Sequence, residues 1–252
     1  MKLLIHEMTA EELSEALKRT DTVIVPLGSV EQHGPHLPVS MDAEAAYLLA
    51  IKAAEAVDGG GVYVAPPIFY GSCAATKNFP GTISIRQSTL IALIIDVLKG
   101  FASHGFKKFV ILNCHGGNNA VVRTAIRELM EEGFKAFVGC IHWWGLIQDV
   151  VDEVREAEDY GHACEIETSF AYVLIPEKVR VDKIVRGRVD PEHFYPRAGD
   201  IVNAIHDWTE LTETGIKGDP TKASREKGER MLTAFIERVK RSLEALRDAK
   251  VN

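Results

Sequence analysis

The chain has 252 residues, 46% hydrophobic and 26% charged, which is the balance of a globular protein with room for a substantial core. Its formal net charge of −7 argues against broad nucleic-acid binding. Cys73, Cys114, Cys140 and Cys164 form no C-x-x-C pair, no apolar run approaches the ~20 residues of a membrane span, and no signal-peptide pattern opens the chain. A soluble, reduced, cytoplasmic protein away from membranes is therefore expected.

In chain order, Thr9-Ala10-Glu11-Glu12 has the form of a capping box and predicts a short helix to about Lys18. Thr22 to Leu27 reads as a buried strand. It runs into Gly28-Ser29-Val30-Glu31-Gln32-His33-Gly34-Pro35-His36, with Asp42 a few residues on. Ala43 to Val57 reads as a helix stopped by Gly59-Gly60-Gly61. Val62 to Ala65 is a strand, and Gly71 to Arg86 a loop holding Phe79-Pro80-Gly81-Thr82-Ile83-Ser84. Thr89 to Ser103 is an apolar helix. Phe109 to Leu112 is a buried strand leading into Asn113-Cys114-His115-Gly116-Gly117-Asn118. Ala120 to Glu132 is a helix stopped by Gly133, and Ala136 to Ile141 a strand ending at His142-Trp143-Trp144. Gly161 to Ser169 reads as the first turn of a buried helix. Pro196 to Gly199 and Gly215 to Thr221 read as surface turns, and Lys222 to Arg247 as a final helix whose charges form a solvated face.

Strands alternating with helices imply an α/β fold with a mostly parallel central sheet and helices on both faces. No repeat or linker divides residues 1–252, so one domain is expected. Open parallel sheets bind ligands at the carboxyl ends of their strands. Glu31/His33/Asp42, His115 and His142-Trp143-Trp144 all fall at such ends, so one site built from distant segments is expected. Glu31 and His33, two apart, point to one side of an extended backbone, and Asp42 offers a bridging carboxylate. Each alone has a plainer reading, Glu31 and His33 as loop residues binding backbone and His115 beside a tight Gly-Gly turn. Together they form a mixed nitrogen and oxygen set that suits zinc, manganese or iron(II), with carboxylates enough for two ions.

These motifs resemble the creatininase (creatinine amidohydrolase) family. The match runs from Gly28–His36 through Asp42, Phe79–Ser84, Asn113–Asn118 and His162–Ser169 to Thr221–Gly228. The resemblance implies a three-layer α/β/α sandwich and two divalent metal ions. Carried across, it puts Glu31 and His115 on one ion, His33 on the other, and Asp42 between them. In creatininase itself a Glu lies two residues after the second ligand His; here Gly117 stands in that place. Glu165 is then the expected replacement ligand, with Glu167 orienting ligands beside it; the alternative is that Glu167 is the ligand. His162 matches the family's catalytic His, a proton shuttle, and Trp144 aligns with a tryptophan that covers substrate. His36, Thr76 and Asn118 are the further substrate-binding candidates. The loop Ala74-Ala75-Thr76-Lys77-Asn78 departs from relatives, so a different pocket wall is expected. The implied activity is hydrolysis of a C–N bond in a small cyclic amide or formamide. The rivals are C–C cleavage of a cyclic polyol ketone and a non-catalytic metal-binding protein. Family members often form hexamers, so a homo-oligomer is implied.

Overall fold

Strand β1 is Thr22–Leu27, a run with all six residues buried. In the computed structural model, which describes residues 2–189 and 207–251, it pairs in parallel with β2 (Tyr63–Val64) and β3 (Lys108–Asn113). Strand β4 (Phe137–His142) pairs in parallel with β3, giving the order β2-β1-β3-β4. Period-two alternation divides the sheet's side chains between two cores. Val23, Val25, Leu27, Phe109 and Ile111 face helices α3 (Gln87–Ser103) and α4 (Asn119–Glu131). Ile24, Val110 and Leu112 face α2 (Met41–Glu55), α7 (Glu165–Leu174) and α9 (Arg225–Asp248). This is the expected three-layer α/β/α sandwich. No helix of the described residues is long and apolar enough to cross a membrane.

The register sets up the site. Leu27 aligns with Asn113, and Asn113 with His142, so three strands end side by side. Gly28 follows β1 at a point where a Cβ would lie 2.3 Å from the Cα of Ala43. The missing side chain lets the start of α2, and with it Asp42, lean over the strand end.

Two sequence motifs turn out to brace the site rather than line it. Thr82 of the Phe79–Ser84 motif accepts a hydrogen bond from the Gln32 amide at 2.9 Å. Val30 bridges Ile83 in antiparallel fashion, which holds the Glu31/His33 loop extended. At the far end, Ser224 caps α9 and its amide donates to Ser169 Oγ at 3.0 Å. A Cβ on Gly228 would lie 2.1 Å from the Ser169 carbonyl, so α9 sits directly on α7 there.

Some boundaries differ from expectation. The final helix starts at Arg225, after a 3₁₀ turn at Pro220–Lys222, because Ser224 supplies the cap. Gly215 to Thr221 is not a surface turn throughout. Ile216 is fully buried, and Lys217–Gly218 forms strand β6 against β5 (Tyr160–His162). The turn expected at Pro196 to Gly199 lies outside the described residues.

Candidate metal centre

Three carboxylates and three imidazoles meet at the carboxyl edge of the sheet. Glu31 and His33 come from the loop after β1, Asp42 from the first turn of α2, and His115 from the loop after β3. His162 ends β5, and Glu167 lies in the first turn of α7. His33 is fully buried, Glu31 and Asp42 are nearly so, and His115 and His162 are mostly enclosed.

The hydrogen bonds fix which ring atom faces inward. His33 Nδ1 lies 3.0 Å from the Glu31 carbonyl oxygen, and His115 Nε2 lies 3.0 Å from the Ser72 carbonyl oxygen. A carbonyl only accepts, so each of these nitrogens carries the proton. The remaining nitrogens, His33 Nε2 and His115 Nδ1, then face carboxylates. His33 Nε2 is 3.1 Å from Asp42 Oδ1 and 3.9 Å from Glu167 Oε2. His115 Nδ1 is 3.0 Å from Asp42 Oδ2 and 2.9 Å from Glu31 Oε2. Asp42 thus presents one oxygen to each imidazole. A bare nitrogen lone pair facing a carboxylate is repulsive unless a cation lies between them.

Glu31 Oε2 and His33 Nε2 are both buried without a hydrogen-bond partner. Buried polar atoms are otherwise almost always paired. The residues therefore fit two cations, one near Glu31, Asp42 and His115, the other near His33, Asp42 and Glu167. Outer nitrogens bound to backbone carbonyls are the usual way a ligating imidazole is oriented.

The electrostatics agree. Burial alone would lower the pKa of His33, but Asp42, with Glu167 and Glu31, outweighs it and raises the ring to about 10. Burial opposes the proton on His115 as well, and Glu31 and Asp42 still raise it well above its ordinary value. Burial pushes Glu31 up, and His115 more than reverses this, to about 2. Where no cation is bound, protons on the imidazoles offset the carboxylate charge. The folded-state pKa of His33 lies above its ordinary 6.5, so its contribution to stability is full below pH 6.5 and is lost as pH rises toward 10. The thermal midpoint of chelated protein should fall across that window, while metal-loaded protein should hold steady. Parallel decline of both forms would refute this.

Glu165 is not where the resemblance implies. It is fully buried but faces away from the cluster. Its oxygens accept from the Glu156 amide at 3.0 Å and the Ala157 amide at 2.8 Å, and Lys227 Nζ lies 2.5 Å from Oε1. With its lone pairs occupied by these donors, it anchors α9 and the 156–157 loop to α7. Lys227 is accordingly the exception to the solvated face expected of the final helix. Glu167, two residues on, takes the inward place. Glu167→Gln should lower ion content, whereas Glu165→Ala should leave ions bound and cost about 3 kcal/mol of stability, the low end for stranding a buried charge, since Lys227 keeps Glu156. Elemental analysis and urea unfolding on the same preparations distinguish the two.

The sequence reads His162 as part of the first turn of a helix, but it lies on strand β5, before the helix begins at Glu165. Ala163, between strand and helix, has φ 50°, a left-handed conformation rare for a residue with a side chain. Its amide donates to Glu167 Oε2 at 2.5 Å. This twist swings His162 out of the helix and over His33, their ring centroids 4.4 Å apart. His162 Nε2 donates to the Gln32 carbonyl at 2.7 Å, which leaves Nδ1 as a proton acceptor. Burial, then the neighbouring His33, lowers the ring's pKa to about 4, so it is neutral near pH 7.

A cavity of about 740 Å³ opens on this cluster, walled by Trp143, Trp144, Tyr160 and Trp208. Thr76 reaches it, but its hydroxyl donates to Glu31 Oε1 at 2.5 Å and orients that carboxylate. Two other substrate candidates are placed elsewhere. His36 is fully buried behind the cluster, its Nε2 2.8 Å from Thr168 Oγ1. Asn118 is also fully buried and ties loops together, donating to the Gly28 carbonyl and accepting from the Ser72 amide. Neither lines the cavity. The residues that sequence reasoning missed are Cys73, Tyr160 and Trp208. Trp208 packs edge-on to His162 at 5.2 Å, and an isolated Trp in the polar stretch before Leu211 was its one signal.

Comparison with known proteins places this geometry. The family model for creatininase, described as creatinine amidohydrolase, matches residues 6–243. The mycofactocin precursor peptide peptidase of Mycolicibacterium smegmatis is 34% identical over 230 residues, covering 87% of this chain and 84% of the relative. The 3-dehydro-scyllo-inosose hydrolase of Thermotoga maritima is 30% identical over 250 residues, covering 91% and 79%. A solved structure of the Mn form of creatininase has a TM-score of 0.81 at 25% identity, covering 99% of this chain and 100% of that one.

Proposed function

This chain belongs to the creatininase family of hydrolases, and we propose that it works through two divalent cations on the C–N bond of a small amide or formamide. The observation that carries this reading is the pair of inward imidazole nitrogens, each facing a different oxygen of Asp42. In this reading residues 1–252 act as one catalytic domain. Ligands run from Glu31 to Glu167, and the 221–228 motif braces them from behind.

When bound, the cations would polarise a carbonyl and acidify a water at neutral pH. The chain's own part is positional. Glu31 is oriented by Thr76, Asp42 by Ser29 Oγ at 2.8 Å, and Glu167 by the Ala163 amide. His162, neutral with Nδ1 free, takes a proton from the attacking water and returns it to the departing nitrogen. Trp144 and Trp208 present flat apolar faces that suit a planar amide and help exclude bulk water. No lysine or arginine lines the cavity among the described residues, which favours a substrate without phosphate.

The polyol ketone reading is the rival: each buried sugar hydroxyl needs a polar partner, and Gln87, Gln148 and Tyr160 stand in the lining beside the tryptophan walls. A non-catalytic binding protein has no need of a neutral proton acceptor beside an open cavity. The test is a mass-spectrometric screen of metal-loaded protein against lactams, formamides, peptide amides and cyclic ketones. Release of amine or ammonia is expected. Turnover confined to polyol ketones would replace the C–N reading with C–C cleavage, and metal uptake with no turnover would remove the enzyme reading.

A further inference from the structure

The Glu31 and His115 half of the centre contains a group that the nitrogen and oxygen ligand set does not use. The thiol of Cys73 is 2% exposed and lies with its sulfur within 4.8 Å of ligand atoms on both Glu31 and His115. Glu31, whose Oε2 is buried and without a hydrogen-bond partner, belongs to the same group. We propose that Cys73 is a thiolate ligand of the ion held by Glu31, Asp42 and His115; this rests on the two-cation reading above.

The loop carrying Cys73 is fastened on both sides to that half of the site. The Ser72 carbonyl accepts from His115, and the Ser72 amide donates to Asn118. The Cys73 amide donates to Ser84 Oγ at 3.0 Å, and Thr76 donates to Glu31. Gly71 allows the loop to press in, since a Cβ there would lie 2.7 Å from the Gly28 carbonyl. The thiol is therefore held against the ligands by hydrogen bonds of its loop that involve no metal. Binding breaks the S–H bond and forms a sulfur–metal bond, and the proton leaves to solvent.

The consequence is an asymmetric pair of ions. Glu31, Asp42, His115 and Cys73 make four protein ligands, the number of a closed tetrahedral site. His33, Asp42 and Glu167 make three, which leaves a position for water or substrate on the other ion. A sulfur ligand also biases the closed site toward zinc, cobalt or iron(II) and away from manganese and magnesium.

Cobalt(II) reads this directly, apart from any turnover. Titrating the metal-free protein with cobalt should give visible ligand-field bands and a near-ultraviolet thiolate-to-cobalt charge-transfer band. In Cys73→Ser the ligand-field bands should remain and the charge-transfer band should vanish. Cys114→Ser and Cys164→Ser, at the two other thiols near the cavity, should keep it. Cobalt uptake in the parent protein without a charge-transfer band overturns thiolate ligation and leaves the two-cation reading standing. A band that survives Cys73→Ser and disappears in either other variant assigns the ligand elsewhere and overturns the proposal. Absence of any cobalt binding overturns the two-cation reading itself. Circular dichroism of each variant identifies loss of fold. If Cys73→Ser is unfolded, Cys73→Ala provides the same spectral comparison.

Discussion

Replacing Asp42 by Ala is expected to empty both cation sites and lower turnover at least about a thousandfold, the several kcal/mol of charge stabilisation that the cations would supply. The argument rests on geometry. Its Oδ1 is 3.1 Å from His33 Nε2 and its Oδ2 is 3.0 Å from His115 Nδ1, so no other carboxylate among the described residues serves both imidazoles. Removing Glu31 or Glu167 disturbs one half of the centre, whereas removing Asp42 disturbs both. Burial opposes its charge, yet His33 and His115 hold its pKa well below the carboxylate range, so it is ionised and ready to bind. Asp42→Asn keeps the shape and one oxygen while removing the charge, and should lose ions nearly as completely. Elemental analysis after gel filtration, with turnover on the same fractions, is the measurement. Full, tight occupancy in Asp42→Ala would show that the two oxygens do not bridge.

The parts of the site that were legible in sequence are those set by local geometry. Asp42, Glu31, His33 and His115 each follow directly from a strand end or a helix start, and the parallel sheet brings such ends together. The buried strands were read nearly to the residue because they are continuous apolar runs. The choice between Glu165 and Glu167 was not local. It depends on the left-handed turn at Ala163 and on Lys227, 62 residues after Glu165, drawing that carboxylate outward. Nothing in the spacing of two glutamates carries either fact. His36 and Asn118 stand in matched motifs, but motif membership does not separate a side chain facing the cavity from one that holds the loop behind it. Trp208 was missed for the opposite reason. It lies in no motif and enters the site through the hydrogen bond from its amide to the Ala75 carbonyl, a contact made across more than a hundred residues.

His162→Ala is expected to lower turnover about 10²–10⁴-fold, the usual span for loss of a general acid–base group, with both ions retained. Its Nε2 is committed to the Gln32 carbonyl, so one nitrogen alone remains for other work. The choice for that nitrogen is between ligand and proton carrier, since His162, His33 and Glu167 present ligand atoms within 4.8 Å of one another. Three features favour the proton carrier. His33 and Glu167 already converge on Asp42 without it. Its ring packs between His33 and Trp208, at the cavity wall. The positive neighbour that lowers its pKa in metal-free protein would be replaced by cations of the same sign, which also keeps the imidazole neutral and able to accept a proton. His162→Gln gives a second reading, because an amide can still donate to Gln32 but cannot carry a proton at neutral pH. Both variants should therefore lose rate to a similar degree while keeping metal. A variant that loses an ion would make His162 a ligand, and near-normal turnover with metal intact would reduce it to a packing group beneath Trp208.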